Sequence, residues 1–232
     1  MSLDTIGYFV GNAPDRVADF SGRGPGVGLV LKPDIAAPGV SIMAQGFDSA
    51  VRGEARHLGF GQAGGTSMAA PHVAGAAALL RQIHPTWDNA AIKSALMSTS
   101  KFVDVYTHDG RPAQPLDIGA GRLDLARAAD PGVILDPPSL SFGTVVTGTR
   151  ATLRISLRSV ARDVEMYTLR TVDTTHGFTR TRAVAGMSVS RRSLTLAPGE
   201  TRTLDVTWDA AASGGHGDRQ GYLVLDGLRH QA

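Results

Sequence analysis

Cysteine is absent from this 232-residue chain, so neither disulfides nor thiolate metal sites contribute to it. That leaves the compartment open, since an enzyme can be exported without disulfides. Long hydrophobic runs are missing too. A membrane-spanning helix needs about 20 apolar residues, and the best stretch, Val73–Leu80, is too short and too rich in Ala and Gly. The beginning, Met1-Ser2-Leu3-Asp4, has no basic stretch followed by an apolar one, so no signal peptide is read there. Charge of one sign is scarce as well, with a formal net charge of +2. Residues 1–130 hold 11 Lys and Arg against 12 Asp and Glu, and residues 131–232 hold 12 against 9. The excess in the second part is all Arg and is spread along the expected strands. It reads as a solvated surface, and no nucleic-acid partner is expected.

What is present describes a globular chain. Hydrophobic residues make up 42% and charged residues 19%, a balance that supports a packed core. The 28 glycines imply many tight turns. Residues 1–130 alternate short apolar runs with helical patterns. A first helix is predicted from Ser67 to about Ile83; Met68, Val73, Ala76, Ala77, Leu79 and Leu80 make it apolar nearly all round, which predicts burial. Pro71 falls close enough to the start to cost little. His84-Pro85 ends that helix. A second begins near Asp88, a suitable N-cap, with Ile92, Ala95, Leu96 and Thr99 on one face. A short amphipathic turn is expected over Leu123–Ala129. The pattern then breaks at Ala129-Asp130-Pro131-Gly132.

From Leu140 onward the period becomes two. Leu153, Ile155 and Leu157, then Tyr167 and Leu169, then Leu204, Val206 and Trp208 alternate with polar residues. Ala197-Pro198-Gly199-Glu200 is a turn between two strands. About six or seven short strands predict a β-sandwich. The alternation stops soon after Tyr222–Leu225, so a last strand is expected to be missing.

The chemistry concentrates in Gly64-Gly65-Thr66-Ser67-Met68-Ala69-Ala70-Pro71-His72-Val73-Ala74-Gly75. Small residues lead into a Ser at a helix start. Its hydroxyl is exposed on a tight turn, its amide faces the place where an oxyanion would form, and the helix dipole adds positive character there. Taken alone, Ser67 reads equally as an N-cap. The whole string, however, closely resembles the nucleophile motif of the subtilisin family, Gly-Thr-Ser-Met-Ala-x-Pro-His-Val-Ala-Gly. Phe20–Pro25, Lys32–Val40, Trp87–Leu96 and Gly119–Leu123 resemble neighbouring segments of that family, in order, over residues 5–130. Pro138-Ser139-Leu140-Ser141-Phe142-Gly143 resembles the first strand of the fibronectin-III-like modules that follow the catalytic domain in larger subtilases.

The resemblance implies the C-terminal half of a subtilisin-like parallel-sheet α/β domain over 1–130, followed by an all-β sandwich over 131–232. It implies Ser67 as catalytic nucleophile, with Gly65, Thr66 and Met68 in the substrate and oxyanion vicinity, and Met68 open to oxidative inactivation. It implies protein or peptide substrates and a secreted or cell-envelope enzyme of bacterial type. Structural calcium is common in the family, but no cluster of acidic ligands stands out, so no metal or other cofactor is assigned.

The family order is Asp, His, oxyanion Asn, then Ser, yet none of the 66 residues before Ser67 spells the Asp or His motif. Asn12, in Val10-Gly11-Asn12-Ala13-Pro14, does not fit the oxyanion context. His72 lies five residues on, about 140° around the helix, and reads as a packing residue with a satisfied ring. His84 is about 25 Å along the same helix. His57, in a Gly-rich loop, is the one local candidate base, and otherwise a surface residue. His108, His176, His216 and His230 carry no motif. The expected partner is therefore the missing N-terminal half of the catalytic domain, and the chain alone is expected to be inactive. A half sheet exposes a strand edge and apolar helix faces, so instability is expected without that half or another copy. Two alternatives remain: a non-catalytic interaction or structural chain, and a half-enzyme completed by a separate N-terminal part.

Overall fold

The computed structural model describes residues 14–47, 58–179, 182–214 and 217–232. A hairpin of β1 (Ile42–Phe47) and β2 (Leu58–Ala63) comes first, followed by helices α1 (Thr66–Ile83) and α2 (Asn89–Ser98). The four-residue turns α3 (Pro115–Ile118) and α4 (Leu125–Ala128) close this part. Asp88 caps α2 as its sequence predicts, accepting from the Ala91 amide at 2.8 Å.

The predicted parallel sheet does not appear among the described residues. β1 and β2 pair antiparallel. Parallel contact is confined to two isolated bridges, Arg16 with Tyr106 and Ala36 with Arg122. Burial of α1 also departs from expectation. Ala76 and Leu80 are its buried residues, while Leu79 and Ile83 remain 48% and 55% exposed. The reason is that one face of α1 packs, against α2, Trp87 and Ile35, and the opposite face has no neighbouring layer among the described residues. α2 is the better-covered helix, with Ala91, Ile92, Ser94, Ala95, Leu96 and Met97 all buried. It lies between α1 and the first strand of the β region.

That region follows the period-two reading. β3 (Val133–Asp136), β4 (Arg150–Ser159), β8 (Thr201–Asp209) and β6 (Met187–Val189) form a four-stranded antiparallel sheet. β7 (Ser193–Leu196), β5 (Glu165–Val172) and β9 (Tyr222–Asp226) form a second, three-stranded one. Alternate residues of both sheets meet in one core: Ile155, Leu157, Leu204 and Val206 from the first, Tyr167, Leu169, Leu196 and Leu225 from the second. Each such aliphatic side chain, when fully buried, contributes roughly 1.5–3 kcal/mol. On the outer face, Arg150 and Arg154 pair across to Asp209 and Asp205, contacts that add little in solvent.

The helical part and the sheets are packed together. The Leu135 amide of β3 donates to the buried Ser94 hydroxyl of α2 at 2.7 Å, and Ile134 joins the α1–α2 core. Phe102 stacks on Tyr222 of β9 with centroids 4.2 Å apart. The Leu31 amide donates to Ser141 Oγ at 2.7 Å and the Leu116 amide to Gln220 Oε1 at 2.8 Å.

Candidate active site

Ser67 is the second residue of α1, and its N-cap is Gly65. Gly65 has φ 153° and ψ 165°, a conformation open to glycine and hostile to residues with a Cβ. Its amide donates to the Gly39 carbonyl at 2.8 Å, and its own carbonyl accepts from Met68 and Ala69 at 3.0 and 3.4 Å. Backbone alone therefore pins the turn. Gly39 is required by the same contact, since a Cβ there would sit 2.8 Å from the Gly65 oxygen and 3.3 Å from the Ala69 Cβ. Ser67 makes no side-chain cap, which removes the N-cap reading of this residue.

Thr66 and Ser67 are exposed and Met68 is half-buried. First-turn amides have no intrahelical acceptor, so those of Thr66 and Ser67 stay available beside the hydroxyl, at the positive end of an 18-residue helix. Because the helix starts at Thr66, Pro71 falls beyond the first turn. It lacks the N–H that would bond the Ser67 carbonyl four residues back, so the expectation that this proline costs little needs correcting. Gly65, Thr66 and Ala69 line a concavity of about 490 Å³ with Phe20, Pro38 and Gly39. Asp15 lies on its wall and is committed elsewhere, paired to Lys101 at 2.8 Å and Arg122 at 2.5 Å. Burial opposes its ionisation, but those two cations outweigh burial and hold its pKa below the ordinary 3.8.

The structure brings no imidazole of a described residue to Ser67. The His72 ring is exposed, and its Nδ1 donates to the Met68 carbonyl at 2.8 Å. Its ring is satisfied as expected, but it is not a packing residue. His84 stacks flat on Trp87 at 3.7 Å, and its Nε2 donates to the Ala129 carbonyl at 2.8 Å. His108 and His176 are exposed in turns. Asn12, His57 and His216 lie outside the described residues.

One histidine is built into a site that sequence reasoning missed. His230 Nδ1 donates to the buried Glu165 at 2.6 Å, and its Nε2 faces Asp130 at 3.4 Å. Glu165 also accepts from the Arg229 and His230 amides and the Tyr167 hydroxyl. No motif flags this cluster, because its members are 65 residues apart. Among the described residues no three His, Asp or Glu side chains gather as a metal-binding group, so no calcium site is assigned. No helix described is long and apolar enough to cross a membrane.

Comparison with known proteins places these features. Residues 5–121 match the model of the subtilase family, peptidase S8. The chain is 45% identical over 149 residues to subtilisin-like protease SBT1.6 of Arabidopsis thaliana, covering 58% of this chain and 19% of that protein. It is 46% identical over 133 residues to subtilisin-like protease SBT3.11 of the same plant, covering 52% and 17%. The chain thus spans about a fifth of the length of these relatives. They are plant proteins, which lend no support to the bacterial expectation. Among solved structures, a PapD-like domain of human CEP192 aligns with 44% of this chain and 79% of its own at 16% identity, with a TM-score of 0.34, too distant to carry an argument. By its family match over half its length, and by relatives that are themselves subtilisin-like proteases, this chain belongs to the subtilase family of serine peptidases.

Proposed function

We propose that residues 1–130 are the C-terminal half of a subtilisin-like catalytic domain, and residues 131–232 a fibronectin-III-like module joined to it. In the completed enzyme Ser67 attacks a peptide carbonyl and forms an acyl-enzyme. The Ser67 amide helps hold the oxyanion. A histidine outside the described residues takes the hydroxyl proton and returns it to the leaving amine, and an aspartate orients that ring. Gly65 and Thr66 border the substrate, which is protein or peptide. The family's usual setting supports a secreted or cell-envelope enzyme.

The chain by itself is catalytically incomplete. The observation that supports this is that no imidazole of a described residue reaches Ser67: its hydroxyl is exposed at the start of α1, and the His72 ring is turned back to its own helix. A serine without a base is a poor nucleophile near neutral pH. The uncovered side of α1, with Leu79 and Ile83, and the exposed Met43 and Phe60 of the hairpin are where the rest of the catalytic domain would pack. Treatment of the purified chain with a fluorophosphonate probe tests the reading. Negligible labelling is expected. Rapid labelling that disappears in Ser67→Ala would overturn it and direct attention to His57.

A further inference from the structure

A concavity of about 450 Å³ lies where α4, the β4–β5 connection and the turn after β9 come together. Its wall carries four basic side chains, Arg127, Arg162, Arg229 and His230, and one acidic one, Asp130. They come from separate segments of the chain, so no run of basic residues announces the site in the sequence. Each guanidinium has five N–H donors, and few of them are spent. Arg127 donates once, to the Gln231 carbonyl at 3.0 Å. Arg229 uses its Nη1 on Asp163. Arg162 is exposed and makes no side-chain hydrogen bond or ion pair among the described residues.

The rest of the wall is fixed in place. His230 Nδ1 donates to the buried Glu165 at 2.6 Å. The ring lies against bare backbone, since a Cβ on Gly132 would sit 2.5 Å from the His230 Cγ. The turn is closed by the Gly227 amide, which donates to the His230 carbonyl at 2.8 Å. Gln231 then pairs with Asp226 and Ala232 with Leu225, which carries the chain along β9 and away from the concavity. Asp130 faces His230 Nε2 at 3.4 Å, but its side chain is 77% exposed, so it is a rim group that can turn into solvent.

The charges do not cancel. Glu165 balances His230 and Asp163 balances Arg229, which leaves Arg127 and Arg162 against the single rim carboxylate. A carboxylate ligand has two oxygens, and one guanidinium fork already satisfies it. A tetrahedral oxyanion presents more oxygens and takes donors from several forks at once.

We infer that this concavity binds a tetrahedral oxyanion, a phosphate or sulfate group, with Arg127, Arg162 and Arg229 as its donors. Arg162, which holds nothing else, supplies the donors that are spent only on the ligand. The site is independent of Ser67 and of the proteolytic reading.

The test titrates the whole ¹⁵N-labelled chain with inorganic phosphate, inorganic sulfate and acetate in turn, with chloride adjusted to hold ionic strength constant. Phosphate or sulfate is expected to shift the Arg162, Arg229 and His230 amide resonances saturably, and the tighter of the two names the group. Arg162→Gln, at an exposed side chain without partners, should weaken binding about tenfold or more while the remaining spectrum stays unchanged. Asp130→Asn removes the competing carboxylate and should tighten binding about two- to fivefold. No saturable shift with either oxyanion would overturn the proposal. So would equal affinity for acetate, which would mean unspecific charge attraction, or an unchanged affinity in Arg162→Gln.

Discussion

Replacing Glu165 with Gln should lower stability in a pH-dependent way that the geometry dictates. Glu165 is 7% exposed on β5 and receives four donors: His230 Nδ1 at 2.6 Å, the Arg229 amide at 2.8 Å, Tyr167 Oη at 3.0 Å and the His230 amide at 3.1 Å. Burial disfavours the charged carboxylate, but the donors outweigh it, and the pKa falls from 4.5 to about 2. A depression of that size corresponds to about 3 kcal/mol of stability. It is present above pH 4.5 and is lost as pH falls toward 2. His230 runs the other way. Burial opposes its charge, yet Glu165 and Asp130 raise its pKa above the ordinary 6.5. Its contribution is complete below pH 6.5 and is lost as pH rises through that higher value. The pair is therefore strongest between about pH 4.5 and 6.5. Urea unfolding can be followed by the fluorescence of Trp87 and Trp208, the latter buried on β8 at 8% exposure. The difference between wild type and Glu165→Gln should reach about 2–3 kcal/mol at pH 5.5, fall to about 1 kcal/mol at pH 3, and decline again above the His230 transition. A difference that stayed flat from pH 3 to pH 8, or below about 0.5 kcal/mol throughout, would refute the reasoning.

Two further substitutions probe the α2–β3 contact and the turn before Ser67. Ser94→Ala removes the buried acceptor of the Leu135 amide and should cost about 1–3 kcal/mol in urea unfolding, while Ser94→Thr, which keeps a hydroxyl, should recover part of that loss. Gly39→Ala forces a Cβ to within 2.8 Å of the Gly65 oxygen; a loss of about 1–3 kcal/mol is expected, with amide resonances of Gly65 to Met68 shifting more than those of the sandwich.

Periodicity alone made the sandwich legible. Leu204, Val206 and Trp208 alternate with polar neighbours, and β8 buries those three. Once every second residue is apolar, only one register hides them all. Asp88 announced the start of α2 because its capping bond is local. Ser67 was legible as a helix-start serine for the same reason: glycines before it and an apolar run after it are short-range signals. Other features depend on distant chain segments and could not be read. α1 is apolar nearly all round, yet its exposure depends on which layers reach it, and Leu79 remains open. Ser94 is a small polar residue whose purpose appears only when β3 arrives 41 residues later. Glu165 and His230, 65 residues apart, carry no spacing signal.

Local patterns of polarity and turn chemistry thus determined the elements, the family resemblance and the serine at the helix start. Tertiary structure alone decided which faces those elements cover, which carboxylate is buried with its donors, and that the Ser67 hydroxyl has no described base beside it. The division has a physical cause. Helix caps and strand alternation are set by neighbours a few residues away, whereas burial and proton sharing arise only when segments far apart in the chain are brought into contact.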